Sequence, residues 1–354
     1  VDTREQLLKA LTEVHGVPGY EHEVRALVRD YFAPLGEIEQ DKIGSILCRQ
    51  GSAGPRVMLA GHMDEIGFMV QRITKEGFIK FLPLGGWWDQ VLLGHKVILK
   101  THTGDVIGVI GAKPPHLLAD DERKKLVEKK DMYIDIGATS QEEVEAAGVR
   151  LGDPIVPDSH FAVLAGGKTY LSKAFDNRVG IALAIEAFQH FAHTPHPNLL
   201  YAAATVQEEV GLRGARTSAE VVNPDVALIL EVDIAGDVPG IKEDESAIKL
   251  GGGPSLLLYD RAMIPNLRLR DLVIQTAGEL GIKLQFSTML GGATDGGAIH
   301  LHKTGVPTVV IGVATRHIHS HNAILHRADY DQALQLLIGV IAKLDAAAVA
   351  GLTA

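Results

Sequence analysis

Cysteine is almost missing. Cys48 is the single one in 354 residues, so the chain cannot close a disulfide on itself, which suits a reducing cytoplasm. Aromatic residues are only 5%, and both tryptophans, Trp87 and Trp88, are adjacent; a sugar groove walled by stacking rings has little to be built from. Positive charge is in deficit. The chain has 34 Lys and Arg against 44 Asp and Glu, a net charge of −10 with His neutral. That argues against nucleic acid and anionic membrane as partners. No uncharged apolar run reaches the ~18 residues that would suggest a membrane span. The first residues, VDTREQLLKALTEV, form an amphipathic pattern with charges throughout and lack the apolar core of a signal peptide.

What is present is apolar content of 46% and 38 glycines. This is enough for one large domain or two moderate ones with real cores. Residues 2–36 read as two helices separated by HGVPGYE, and residues 37–50 as a strand pair turning near Asp41–Gly44. A buried strand, PRVMLA, runs into Gly61-His62-Met63-Asp64. From about 71 to 160 the texture is short, β-rich and punctuated by glycine, with one charged helical patch over Leu117–Lys130. Beyond it strand and helix alternate: a helix over Val179–Phe191, strands YAAATV and ALILEVD, a helix over Leu267–Leu280, the Gly-rich loop TMLGGATDGGAIH, a strand from Pro307, and a closing helix over Tyr330–Leu344. The expected fold is α/β. A mixed, mostly parallel sheet has helices on both faces, formed by residues 1–70 and 161–354, and a small β-barrel-like domain, 71–160, is inserted.

The strand ends carry the chemistry. His62 and Asp64, Glu208 and Glu209, Asp233 and His319 each stand just past a strand, and Asp176 stands at a helix start. In open α/β sheets ligands bind beyond the carboxyl ends of the strands. Two imidazoles and several carboxylates without a thiol suit Zn²⁺, Co²⁺ or Mn²⁺. Such a set can hold two ions about 3.5–4 Å apart, with one carboxylate bridging. Each residue also has a plainer role open to it. His62 could be a core histidine bonded to backbone, Asp176 an N-cap, Asp233 the start of a turn, and His319 one of a surface cluster with His317 and His321. Asp64 could orient His62 rather than bind metal. The paired acids Glu208 and Glu209 also admit a glycoside hydrolase, and a non-catalytic metal-binding scaffold would leave Glu208 idle.

Six segments in order, AGHMDEIGF, AFDNR, VQEEVGLRGA, EVD, GGATDGGAIH and RHIHS, together with GAKPPHLLADDERKK and DIGATSQEEVEAAGVRLGD in the insert, resemble the TET-type aminopeptidases. This family of glutamyl, leucyl and deblocking aminopeptidases lies within the clan of dinuclear zinc exopeptidases, and some members carry endoglucanase names. The resemblance runs over nearly the whole chain. It implies that His62 and Asp233 bind one ion, Glu209 and His319 the other, and that Asp176 bridges. It makes Glu208 the general base and then acid, and has Asp64 steady His62. It also implies a cis peptide at Asp176–Asn177. The substrate would be a short peptide, cut after its N-terminal residue. The insert would join subunits into dimers and a hollow dodecamer. The chain departs from many relatives at His321, where they have proline.

Overall fold

The computed structural model describes residues 2–353. The chain opens with helices α1 (Thr3–Glu13) and α2 (His22–Phe32) and strands β1 (Glu37–Gln40), β2 (Ile46–Gln50) and β3 (Arg56–His62). Next come β4 (Gly67–Ile73), β5 (Ile79–Leu84), β6 (Lys96–Thr101), β7 (Gly104–Gly111), β8 (Tyr133–Asp135), α3 (Gln141–Ala146) and β9 (Pro154–Pro157). The remainder is β10 (Ala162–Val163), β11 (Thr169–Ser172), α4 (Phe175–Phe191), β12 (Leu199–Thr205), α5 (Arg213–Val222), β13 (Val226–Ile234), β14 (Ser255–Asp260), α6 (Leu267–Glu279), β15 (Gln285–Met289), α7 (Gly296–Ile299), β16 (Thr308–Arg316), β17 (Ala323–His326), α8 (Arg327–Lys343) and α9 (Ala346–Gly351).

Among the described residues, eleven strands form one mixed sheet, with β12-β3-β13-β16 parallel at its centre. The chain leaves β3 for β12 on one side and returns to β13 on the other. The carboxyl end of β3 is therefore a switch point where a ligand crevice opens. Alternation along the central strands divides the core. Val57, Leu59, Leu228 and Leu230 face α4 and α8, whereas Met58, Ala60, Ala227 and Ile229 face α5 and α7. No described helix is long and apolar enough to cross a membrane.

Strands β4-β5-β8-β7-β6-β9 close into a barrel. It begins at Gly67, ahead of residue 71 where the glycine-punctuated texture sets in, because Phe68 and Val70 already point into the barrel core. Phe68 lies at the centre of that core, with Trp87 stacked on it at 4.8 Å and Phe81 edge-on at 4.9 Å. The apolar run after Gly86 is thus divided. Trp87 and Leu92 are core, while Trp88, 66% exposed, and Leu93 point outward. The helix expected over Leu117–Lys130 does not form. Only single 3₁₀ turns occur, at Pro115–Leu117 and Lys129–Asp131. Leu117 and Leu126 are exposed, so the segment has no apolar stripe whose burial would hold a helix.

Candidate active site

Strand register brings the donors together. Thr205 of β12 lies opposite His62 of β3, and Ile229 of β13 lies opposite Ala60. Two residues further along β13, Glu231 comes level with His62, and β12 continues into Glu208 and Glu209. Helix α4 delivers Asp176 because two glycines let it press on the sheet. A Cβ on Gly180 would stand 2.3 Å from the Leu230 carbonyl oxygen, and one on Gly61 3.0 Å from the backbone of Gly180. The first turn of α4 is not helical at Asp176 and Asn177, and the peptide between them is cis. Asn177 Nδ2 donates to the Leu230 carbonyl at 2.8 Å, which pins this turn to β13.

The imidazoles are held from behind. His62 Nδ1 donates to the Asp64 carbonyl oxygen at 2.9 Å, and His319 Nδ1 to the Gly86 carbonyl oxygen at 2.8 Å. Each contact fixes the tautomer that leaves Nε2 free as a ligand. His62 Nε2 faces Asp176 Oδ1 at 3.1 Å, with Glu208 Oε2 and Glu231 Oε2 each at 3.9 Å. His319 Nε2 faces the other oxygen of Asp176, Oδ2, at 3.2 Å, and Glu209 Oε1 at 3.4 Å.

The loop bearing the two glutamates is clamped by buried acids. The carboxylate of Asp64 accepts the N–H groups of Glu208 and Glu209, both at 3.0 Å. Glu21, at the start of α2, accepts the N–H of Gln207 at 3.0 Å. Three successive amides are thus fixed by two carboxylates. Behind them Glu65, Lys173 and Arg178 form a buried charge cluster, and Arg178 ties it to the carbonyls of Met63 and Leu11, each at 2.6 Å.

The site is crowded with negative charge. Burial, then the charges of Glu209, Asp295 and Glu231, push the Glu208 carboxyl well above the usual range against the pull of His62. Burial likewise raises Glu231 and Glu209. Asp176 is drawn low, because hydrogen bonds from His319 and His62 outweigh its burial. His62 and His319 are desolvated, yet the carboxylates around them raise both, His319 to about 11. Buried acids in such number need cations.

The donor set fits them. Two donors on one tetrahedral ion, each about 2.0–2.1 Å from it, stand about 3.3 Å apart. The three closest cross-pairs here are 3.1, 3.2 and 3.4 Å. Asp176 offers one oxygen to each histidine, the arrangement of a carboxylate shared by two ions. His62, Asp176 and Glu209 place ligand atoms all within 4.8 Å of one another.

Residues 44–336 match the family described as M42 glutamyl aminopeptidase. The chain belongs to the M42 aminopeptidase family. A glutamyl aminopeptidase of Lactococcus lactis subsp. cremoris is 37% identical over 97% of both chains. The TET aminopeptidase of the marine sediment archaeon Thaumarchaeota archaeon SCGC AB-539-E09 is 52% identical, superposes with a TM-score of 0.97 and is matched over 99% of both chains. The Pyrococcus horikoshii TET1 peptidase, which can assemble into a tetrahedron or a large octahedral shell, is 32% identical with a TM-score of 0.86, over 96% of this chain and all of that one.

Within this M42 site the structure brings together His62, Asp176, Glu208, Glu209 and His319 as the sequence suggested. It parts from the expectation at two residues. Asp233 lies away from His62, beside the hydroxyls of Ser287 and Ser255, which lower its carboxyl against the larger effect of burial. Strand β13 runs on to Ile234, so Asp233 is two residues past the level of His62. Glu231, on the same face by alternation, occupies the place given to Asp233. Asp64 meets His62 with its backbone carbonyl first, and its carboxylate helps to raise the imidazole. That carboxylate, 3.6 Å from His62 Nδ1, also spans the Glu208 and Glu209 amides.

Two further buried acids escaped the sequence. Asp295, before α7, accepts a hydrogen bond from the hydroxyl of Thr205, and burial raises its carboxyl to about 6. A lone acid in TMLGGATDGGAIH reads as an ordinary helix start. Glu21 sits some 180 residues before the loop it clamps, and nothing local marks it. His321 is not in the M42 site. Its ring is buried in the seam between barrel and sheet, stacked on His95 at 4.0 Å, and burial holds its pKa down at about 3.

Proposed function

We propose that this site hydrolyses the N-terminal peptide bond of short peptides, with Glu208 as its proton carrier. His62, Asp176 and Glu231 would hold one divalent cation, and His319, Glu209 and Asp176 the other; the nitrogen and oxygen donors suit Zn²⁺, Co²⁺ or Mn²⁺. Two such cations, when bound, supply an acidified water and polarise the scissile carbonyl. Glu208 is placed to do the rest. It lines the cavity beside Glu209, 3.9 Å from His62 Nε2. It takes the proton of the attacking water and hands it to the leaving amine. Asp64 keeps it there by fixing its amide.

The observation that carries this reading is Asp176, whose two oxygens face two different histidines. A glycoside hydrolase has no use for that arrangement. Among the residues lining the cavity, Phe286 is the sole aromatic ring apart from histidine. The barrel is proposed to join subunits. Trp88, Leu93, Ile107 and Val109 stand outward on it, an apolar surface of the kind that marks an interface. Closed assembly into a hollow dodecamer would admit only short or unfolded peptides, in a cytoplasmic enzyme that finishes their degradation.

Glu208→Gln tests the chemistry. On aminoacyl-p-nitroanilides, with and without chelator, kcat is expected to fall by at least ~10²–10⁴, the usual contribution of general acid–base catalysis. Elemental analysis of the same variant should still find two ions per chain, whereas Glu231→Ala should lose about one. Substantial activity in Glu208→Gln would remove the assignment.

A further inference from the structure

Beside the metal ligands a cavity of about 1110 Å³ extends over β13, β14 and β15. Its lining holds no lysine and no arginine. Apart from the residues already assigned to the metal site, it carries four acids: Asp233, and Glu243, Asp244 and Glu245 at the rim. Leu257, Phe286 and Met289 supply apolar wall.

One recess in this cavity is polar and built. Gly312 of β16 pairs with Glu231 on one side and Ser255 on the other. A Cβ on Gly312 would stand 2.5 Å from Ser255 Oγ and 3.6 Å from Asp233 Oδ2, so the recess exists because residue 312 has no side chain. Ser255 is fully buried and Ser287 nearly so; their hydroxyls lie against the Asp233 carboxylate and find no other partner among the described residues. Asp233 has no cationic partner there either; its carboxylate accepts the N–H of Ile234 at 2.9 Å. A buried anion and two hydroxyls that can turn lone pairs toward a cavity are a receptor for a donor-rich cation.

Position matches. Asp233 lies two residues beyond Glu231 along β13, about 6–7 Å at strand rise. The four-carbon stem of lysine spans about that distance, so a substrate whose α-carbon sits at the metal ligands would bring its ammonium to Asp233. We propose that Asp233, with Ser255 and Ser287, selects peptides whose N-terminal residue is lysine or arginine. This rests on the aminopeptidase reading above and names its substrate class. The apolar wall takes the stem, and the acidic rim repels an N-terminal glutamate or aspartate.

The test compares lysine with norleucine, which has the same stem length and no charge. With metal-loaded enzyme, kcat/KM for Lys- and Arg-p-nitroanilide should exceed that for norleucyl-p-nitroanilide at least tenfold, with Glu-p-nitroanilide lowest. Asp233→Asn should cut the Lys to norleucine ratio at least tenfold. Equal rates for lysine and norleucine, or an equal loss on every anilide in Asp233→Asn, overturn the proposal while aminopeptidase activity stands. If no anilide is cleaved, the aminopeptidase reading fails. Calorimetric binding of free lysine and norleucine to the wild-type enzyme then decides the recess by itself: tighter lysine supports it, equal binding ends it. That comparison also serves if Asp233→Asn does not fold.

Discussion

At the scale of single residues the site depends on acids that never meet the substrate. Glu21 is the plainest case. Burial, with the charge of Asp64 adding to it, lifts its carboxyl to about 7 from an ordinary 4.5. The folded chain therefore holds this proton more tightly than the unfolded one between those values. Stability falls as pH rises across that window, and the loss is complete above about 7. Glu21→Gln keeps an oxygen that can accept the Gln207 and Gly19 amides and removes the charge. Its melting temperature at pH 8.5 should exceed wild type, by the equivalent of about 3 kcal/mol at most, and the gap should close near pH 4.5. A constant gap across pH would place the effect elsewhere. Glu21 also marks the limit of local sequence reading. His62, Asp176, Glu208, Glu209 and His319 were legible because each stands at a strand or helix end. Glu21, Asp295 and the choice of Glu231 over Asp233 depend on register and on distant packing, which a single segment does not encode.

At the scale of elements the contact between α4 and the central strands decides whether the donors converge. Strands β3, β12 and β13 were readable as apolar runs, and so was the switch to β-rich texture in the insert. Strands β14 and β15 were not, because their burial does not alternate: β14 buries Ser255, Leu256 and Leu257 in a row and then exposes Leu258 and Tyr259, and β15 buries only Ser287. The close approach at Gly61 and Gly180 was equally silent. Gly180→Ala puts a methyl against the Leu230 carbonyl, which cannot yield as a side-chain end would. Overpacking of this kind costs about 1–3 kcal/mol, and here it would push Asp176 away from His62. Calorimetry should show a lower melting temperature, and dialysis against limiting zinc should show reduced occupancy even where the variant stays folded. A stable variant with unaltered metal retention would mean that α4 can shift without consequence.

At the scale of the whole molecule, the barrel and the sheet are built by different logics and meet in a seam. Each has its own core, and His321 stacked on His95 fills part of the join. If the barrel associates subunits, sedimentation at micromolar concentration should find a closed oligomer far above the 38.0 kDa chain. Trp88→Ser combined with Ile107→Ser should shift it to smaller species with hydrolysis of anilides retained. A fully active monomer in the wild type would set the assembly aside and leave the chemistry untouched.

The bond from His319 to the Gly86 carbonyl bears on when the enzyme becomes active. The proposed ligands are collected from positions 62 to 319, and the last of them is aimed by a loop of the insert. A ribosome must synthesise the chain past residue 319 before the second ion would have its histidine, and the barrel must have docked for that ring to point as it does. A chain stopped short of that residue would be left with acids and one imidazole, able to trap metal loosely and unable to cut. Such a peptidase would stay harmless to its neighbours on the polysome, and to copies of itself, until residue 319 has been made and the barrel is in place.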